Sequence, residues 1–336
     1  MKQVKIIVAL VAGLFAFTTA NAGEMTVTGA MHATYQSEQT GVTGNPLGMN
    51  TDLKFSGSQD TDFGAVTWSM ATDGVFLGGA SGDGADSKMS LVSSYGTFRI
   101  GNTGDSANAV DDITPTAFEE ANGSGSGTYA QDFGSGLEGS MGLGYAYADI
   151  LGSGVSLDYT YYPKLDGTTN NEKSASGGGN STANSAQSAN IKIANPATPG
   201  LEVTLGYEIS ENRTASFNNK EGGTVAVNYA TGPVKVGYQR KLYQTLATTN
   251  DDTYYKDDIV GIAYAINDAL AVSYNVIKSE KTAELVVEVE QTTKAINAAY
   301  TVGGLTIGFQ DAKTEDAGYV TSADDDTRTL SLKTAF

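Results

Sequence analysis

The chain of 336 residues carries 41 Gly, 18 Tyr, 6 Pro, one Trp, one His and no Cys, with 38 acidic against 20 basic residues for a formal net charge of −18. Without cysteine there are no disulfides, thiolate metal sites or Cys nucleophiles, and a lone histidine supports neither a His-based metal cluster nor a catalytic triad. So acidic a chain is a poor partner for nucleic acid, whose phosphates need clustered Lys and Arg.

Residues 1–22, MKQVKIIVALVAGLFAFTTANA, open with Lys2 and Lys5, continue as an apolar run from Ile6 to Phe17 and close on Ala20-Asn21-Ala22. That order marks a cleavable secretory leader, and the run is shorter than the roughly 20 residues of a spanning helix. Cleavage after Ala22 leaves one domain, residues 23–336, with 18 basic and 38 acidic residues and a net charge of −20. The protein is expected to be exported. No later stretch is apolar for 18 consecutive residues, so no helical span is expected.

Alternation dominates the rest. Leu201, Val203, Leu205, Tyr207 and Ile209 share one parity, against Glu202, Thr204, Gly206, Glu208 and Ser210. Successive strand side chains point to opposite faces, so this segment has one apolar and one polar face. Leu270–Val276 and Leu305–Phe309 repeat the pattern. In chain order the predicted strands are 24–36, 49–58, 63–72, 87–95, 97–103, 139–149, 154–163, 187–194, 200–210, 221–230, 233–244, 256–266, 269–280, 291–302, 304–313 and 325–336. That is sixteen, an even number, with both termini on the side of the short turns. Those turns fall near 58–62, 95–96, 150–153, 195–199, 231–232, 267–268 and 303. The long connections include Gly104–Leu137 and the Gly/Ser/Asn-rich Lys164–Ala186, expected to be mobile.

An aromatic–turn–aromatic unit recurs as YATGPVKVGY, YAINDALAVSY and YTVGGLTIGF, with leading tyrosines about 35 residues apart. A solenoid could produce such a period. The variable polar loops between units instead match a transmembrane barrel, with short turns on one side and long loops on the other. A soluble sandwich would alternate too. No linker interrupts the chain, however, and aromatics cluster at strand ends, as in the interfacial girdles of membrane barrels. Arg240 falls on the lipid-facing parity and is expected near the outer rim.

The final strand, TRTLSLKTAF, places Leu330, Leu332 and Phe336 on one parity and stops on the aromatic. It resembles the C-terminal assembly signal of bacterial outer-membrane barrels, which implies recognition of Phe336 by the barrel assembly machinery. MTVTGAMHATY resembles a first strand, TDLKFSGSQDTDFGAVTW a second strand, turn and third strand, and SSYGTFRIGN the strand leading into loop 3, of the general diffusion porins of Gram-negative outer membranes. The resemblance spans the mature chain and rests on pattern more than on one motif. It implies an all-β, 16-stranded transmembrane barrel, a homotrimer among outer-membrane lipids and lipopolysaccharide, and an inward-folded loop 3. It implies no cofactor and no enzymatic chemistry. Loop 2, Asp73–Asp86, would latch a neighbouring subunit.

The family resemblance puts Asp105, Asp111, Asp112, Glu119 and Glu120 in the constriction loop, with Pro115–Glu120 (PTAFEE) similar to the acidic segment at its tip. Lys54, Lys88 and Arg99 point inward as a basic wall, with His32 inward from the first strand. That wall is thin: Asn102 stands where the family often has Arg, and the sixth strand offers Ala146 and Ala148 at inward positions. Rings of acidic side chains favour cations, so passive diffusion with cation preference is expected. Two other classes compete. A secreted or surface-attached β-rich adhesin would share the leader and the polar composition, and a substrate-selective channel would share the barrel. An outer-membrane lipase or protease would need a Ser/Asp partner for His32, and none is evident. The acidic runs Asp251–Asp252 and Asp324–Asp326 lack a defined calcium-loop spacing and read as solvated charges.

Overall fold

A computed structural model describes residues 25–38, 45–72, 86–102, 104–118, 141–165, 183–194, 197–212, 214, 217–245, 253–283 and 288–336. The leader, most of loop 2, Glu119 and Glu120, the two Gly-rich runs and Asp251–Asp252 lie outside them. The strands are β1 (Met25–Glu38), β2 (Leu47–Thr61), β3 (Gly64–Thr72), β4 (Asp86–Ser93), β5 (Gly96–Gly101), β6 (Gly142–Tyr147), β7 (Val155–Tyr162) and β8 (Ala183–Ala194). They continue as β9 (Leu201–Asn212), β10 (Lys220–Thr231), β11 (Val234–Gln244), β12 (Thr253–Ala265), β13 (Leu270–Ala283), β14 (Val289–Val302), β15 (Leu305–Glu315) and β16 (Asp325–Ala335). All sixteen predicted strands are present. Asp325 and Asp326 open β16, and β2 and β8 start earlier than predicted.

Each strand pairs antiparallel with its sequence neighbour, and β16 closes on β1. Closure leaves no unpaired edge, which matters because a free strand edge in hydrocarbon strands N–H and C=O groups without water. The seam carries the chain end: Phe336 and Gly29 exchange backbone hydrogen bonds, N to O and O to N, both 2.9 Å. The Phe336 ring packs over Gly29, where a Cβ would stand 2.5 Å from it and push the ring aside.

The two faces invert the usual rule of burial. Outward positions are apolar and exposed: Leu205, Tyr207, Val225, Val227, Tyr238, Val260, Ile262, Tyr274, Ile296, Phe309, Leu330 and Leu332. Inward positions of the same strands are polar and buried, among them Thr204, Glu208, Gln239, Asn275, Asn297 and Gln310. A wall that is apolar outside and polar inside has its stable medium outside in lipid and inside in water.

The outer wall is not uniform around the barrel. Toward the long-loop end, the outward side chains of β11–β16 change from apolar to charged and pair across neighbouring strands. The pairs are Arg240–Asp258 (2.7 Å), Lys256–Glu280 (2.8 Å), Lys278–Glu290 (2.7 Å), Lys294–Glu315 (2.9 Å), Lys313–Asp326 (3.2 Å) and Arg328–Asp311 (2.9 Å). On β15 the order is Leu305, Ile307, Phe309, then Asp311, Lys313, Glu315, so the belt caps the apolar band. Arg240, the charge expected near the rim, belongs to it. An exposed pair is worth only about 0–1 kcal/mol. Here pairing lets charges stand where an isolated cation deeper in lipid would cost about 2–4 kcal/mol. Ile262 lies below this belt on β12. Ile262→Arg is expected to cost about 2–4 kcal/mol, measured as the shift in reversible denaturant unfolding of the barrel from lipid vesicles.

Candidate functional site

Past Gly101 the alternation of β5 gives way to the run GDSANAVDDITPTAF, Gly104–Phe118, which lacks strand periodicity and contains Pro115. This segment turns inside the barrel and follows its inner wall. An irregular backbone there must have every buried polar group satisfied, and inward side chains of successive strands supply the partners. Tyr162 on β7 donates its hydroxyl to Gly104 O (2.9 Å). On β8, Ser188 Oγ accepts from Ser106 N (3.0 Å) and Asn190 Nδ2 donates to Ser106 O (2.5 Å). The Asp105 carboxylate accepts from Ala107 N (2.8 Å) and opens a single 3-10 turn at Asn108–Val110.

Farther round, Gln239 on β11 donates to Val110 O (2.8 Å) and Asp111 O (2.6 Å), while its oxygen accepts from Ile113 N (3.1 Å). Asn228 on β10 donates to Ile113 O (2.9 Å), and Asn275 on β13 to Pro115 O (3.1 Å). Ser273 accepts from Ala117 N (2.9 Å). Phe118 then lies over Gly308 of β15, where any Cβ would collide with its ring, and stands edge-on to His32 of β1 at 6.4 Å between centroids. The described part of the segment thus runs from β7 round to β1.

Two ionic anchors reinforce these bonds. The Arg99 guanidinium grips Asp158 with two bonds, Nη1–Oδ2 at 3.0 Å and Nη2–Oδ1 at 2.5 Å, and Asp158 in turn accepts from Ser106 Oγ. Lys241 Nζ lies 3.0 Å from Asp111, 3.4 Å from Asp112 and 3.8 Å from Asp257, with its side chain 1% exposed. A buried pair is costly to break from one side, because the remaining charge is left without compensation.

The expected site residues therefore divide. Asp105 and Asp111 lie in the inner segment but are 6% and 4% exposed, so their side chains seat the segment against the wall. Asp112 shares Lys241 and remains half-buried. Arg99 is inward and engaged by Asp158. Lys54 and Lys88 line one recess of about 330 Å³ with Thr26, Ser56, Ser58 and Thr67. Lys241, Asp158 and Asp257 escaped the sequence reading, as did the amide series Asn190, Asn228, Gln239 and Asn275. Their signal was available: each is an inward polar residue in a strand whose outward partners are apolar. Among the described residues no cluster of His, Cys, Asp and Glu is arranged to hold a metal ion.

Burial holds the Asp105 carboxyl above the ordinary carboxylate range, the bonds from Ser188 and Ala107 and the charge of Lys220 opposing it. A carboxyl raised in the folded state favours folding below its unfolded pKa and loses that contribution as pH rises through the folded value. Asp105→Asn keeps the acceptor for Ala107 N and removes the buried charge. It is expected to abolish the pH dependence of segment stability that begins near pH 4 and extends upward, read by hydrogen exchange of the Ala107 and Val110 amides. Lys241→Met leaves three carboxylates facing one another and is expected to cost about 3–5 kcal/mol. Thermal melting of the refolded barrel checks this.

The Gram-negative porin family matches this chain over residues 8–334. No curated protein matches it. Among solved structures, the trimer form of in-vitro folded OmpT, an outer membrane protein of Vibrio cholerae, superposes with a TM-score of 0.66 at 10% identity, covering 94% of this chain and 100% of that one. Salmonella typhi OmpF in complex with daunomycin gives 0.67 at 15% identity, covering 94% and 98%. An anion-selective porin from Comamonas acidovorans gives 0.65 at 12% identity, covering 94% and 100%. At these identities the likeness speaks for the fold.

Proposed function

Because the chain belongs to the Gram-negative porin family and forms an outer-membrane channel barrel, we propose that it passes ions and small hydrophilic solutes passively, prefers cations and performs no bond chemistry. The observation that carries the reading is the closed sixteen-strand wall, exposed and apolar outside, buried and polar within. The segment Gly104–Phe118 serves as the constriction, lying inside that wall and narrowing it from one side. An apolar outer surface of this extent gives the adhesin reading no support.

Cation preference rests on charge bookkeeping. The six outer ion pairs cancel, so they use six of the 18 basic and six of the 38 acidic residues after Ala22. The remaining excess of acid falls on the other surfaces, which permeating ions meet. Asp112 and, next along the sequence after Phe118, Glu119 and Glu120 carry the preference, while Asp105 and Asp111 work as anchors. Lys54 and Lys88 supply the basic wall, while Arg99, expected there too, is engaged by Asp158.

The leader, residues 1–22, is removed on export, and Phe336 presents the final strand to the assembly machinery. Three copies assemble, by analogy with the trimer form of Vibrio cholerae OmpT. All six outward Lys and Arg of the described strands lie on β11–β16. That sector faces the phosphates of lipopolysaccharide.

The reversal potential of the refolded protein under a KCl gradient tests the reading. Stepwise conductance with K⁺ preference is expected, reduced in Glu119→Gln/Glu120→Gln and retained in Asp105→Asn. Chloride preference would overturn the charge assignment, and an inserted barrel without conductance would overturn the open channel.

A further inference from the structure

Four inward residues on adjacent strands form one row near the long-loop end of the barrel. Lys241 on β11 stands directly opposite Asp257 on β12, Asp257 opposite Ser279 on β13, and Ser279 opposite Gln291 on β14. They are 1%, 2%, 0% and 1% exposed. Two loops distant in sequence dock on this row. The inner segment engages its Lys241 end through Asp111 and Asp112. The connection between β15 and β16 engages the other end: Gly318 N donates to Gln291 Oε1 (2.8 Å) and the Tyr319 hydroxyl lies 2.7 Å from Ser279 Oγ.

The direction of the bonds follows from proton count. Ser279 donates its one hydroxyl proton to Asp257. Tyr319 must therefore be the donor to Ser279. The chain reads Tyr319 O–H to Ser279 O–H to the Asp257 carboxylate, then Lys241, then Asp111 and Asp112. In such a buried series each member polarises the next.

The Tyr319 end is itself held firmly. Its ring lies 5.7 Å from that of Tyr255, with the Lys281 ammonium 5.7 Å from its centroid. Burial pushes the Tyr319 hydroxyl well above the ordinary tyrosine range, so the donor keeps its proton. Asp316, Gly318, Tyr319 and Ser322 all have positive φ, from 54° to 66°. Three of the four carry side chains that disfavour this backbone, and such geometry persists only where surrounding contacts impose it. The Asp316 carboxylate accepts from Ser322 N (2.6 Å), which holds the wound loop shut.

We propose that Tyr319 is a positioning residue for the constriction, fixing the inner segment through Ser279, Asp257 and Lys241, so that the β15–β16 loop and the segment shift together. The functional side of this inference rests on the channel reading above. Its structural side does not.

The test compares wild type with Tyr319→Phe, Ser279→Ala, Lys241→Met and the Tyr319→Phe/Lys241→Met pair, all refolded as full barrels. Hydrogen exchange is read first. Tyr319→Phe is expected to speed exchange at Ala107, Ile113 and Ala117 by about fivefold, the size of one lost hydrogen bond, while β1–β2 amides are unchanged. Ser279→Ala should do the same, and adding Tyr319→Phe to Lys241→Met should change the segment no further. In bilayers, Tyr319→Phe should raise occupancy of sub-conductance states with an unaltered reversal potential. A lower melting temperature with unchanged segment exchange would make Tyr319 merely structural and overturn the proposal. Full additivity with Lys241→Met would overturn it too. A wild-type barrel that fails to conduct would remove the channel reading, while the exchange data would still decide the coupling.

Discussion

Everything in this molecule follows from one constraint: backbone N–H and C=O groups facing hydrocarbon must find protein partners. A helix meets it within one segment. This chain meets it through neighbouring strands, which works only when the last strand returns to the first. Closure fixes an antiparallel order and an even strand count once both termini lie on the same side. It also forces the two-residue alternation along every strand, because one side chain in two faces lipid and the next faces water.

The same constraint, applied inside the barrel, explains the inner segment. A stretch without strand pairing can enter a lumen only if side chains replace the missing ladder. Gln239 alone satisfies three backbone groups of the segment, and Asn190, Asn228 and Asn275 each satisfy one more. Amides suit this work, having donor and acceptor in one uncharged group. Charge is used sparingly: Arg99–Asp158 holds the segment near its start, through Ser106, and Lys241 holds its middle, through Asp111 and Asp112.

How much was legible in the sequence follows from this division. Strand order, strand number and the outward set were readable because alternation is a local signal, repeated at Leu201–Ile209, Leu270–Val276 and Leu305–Phe309. The roles of Asp105 and Asp111 were not. Whether an acidic loop residue is solvated or buried depends on which strand it meets, and Asp111 meets Lys241 across 130 positions of chain. The neighbouring Arg240 stood out because it broke the apolar parity. Lys241 obeyed the polar parity and so drew no notice, although its bond is the more consequential. The early onset of β8 has a related cause: its first outward positions, Ser185 and Gln187, are polar, so the pattern fades before the ladder does.

The Phe336–Gly29 seam bears on how such a chain acquires its shape. The two residues that complete the ladder, Gly29 and Phe336, are separated by about 300 positions, so the closing contacts are among the most distant in sequence. Loop-closure entropy must be overcome before they return anything, and topologies rich in distant pairings fold slowly. Until those contacts form, the sheet is open, with bare edges at Met25–Glu38 and Asp325–Ala335. Such an edge is a template for pairing with other chains, so the interval between synthesis and closure is when this protein is most exposed to aggregation.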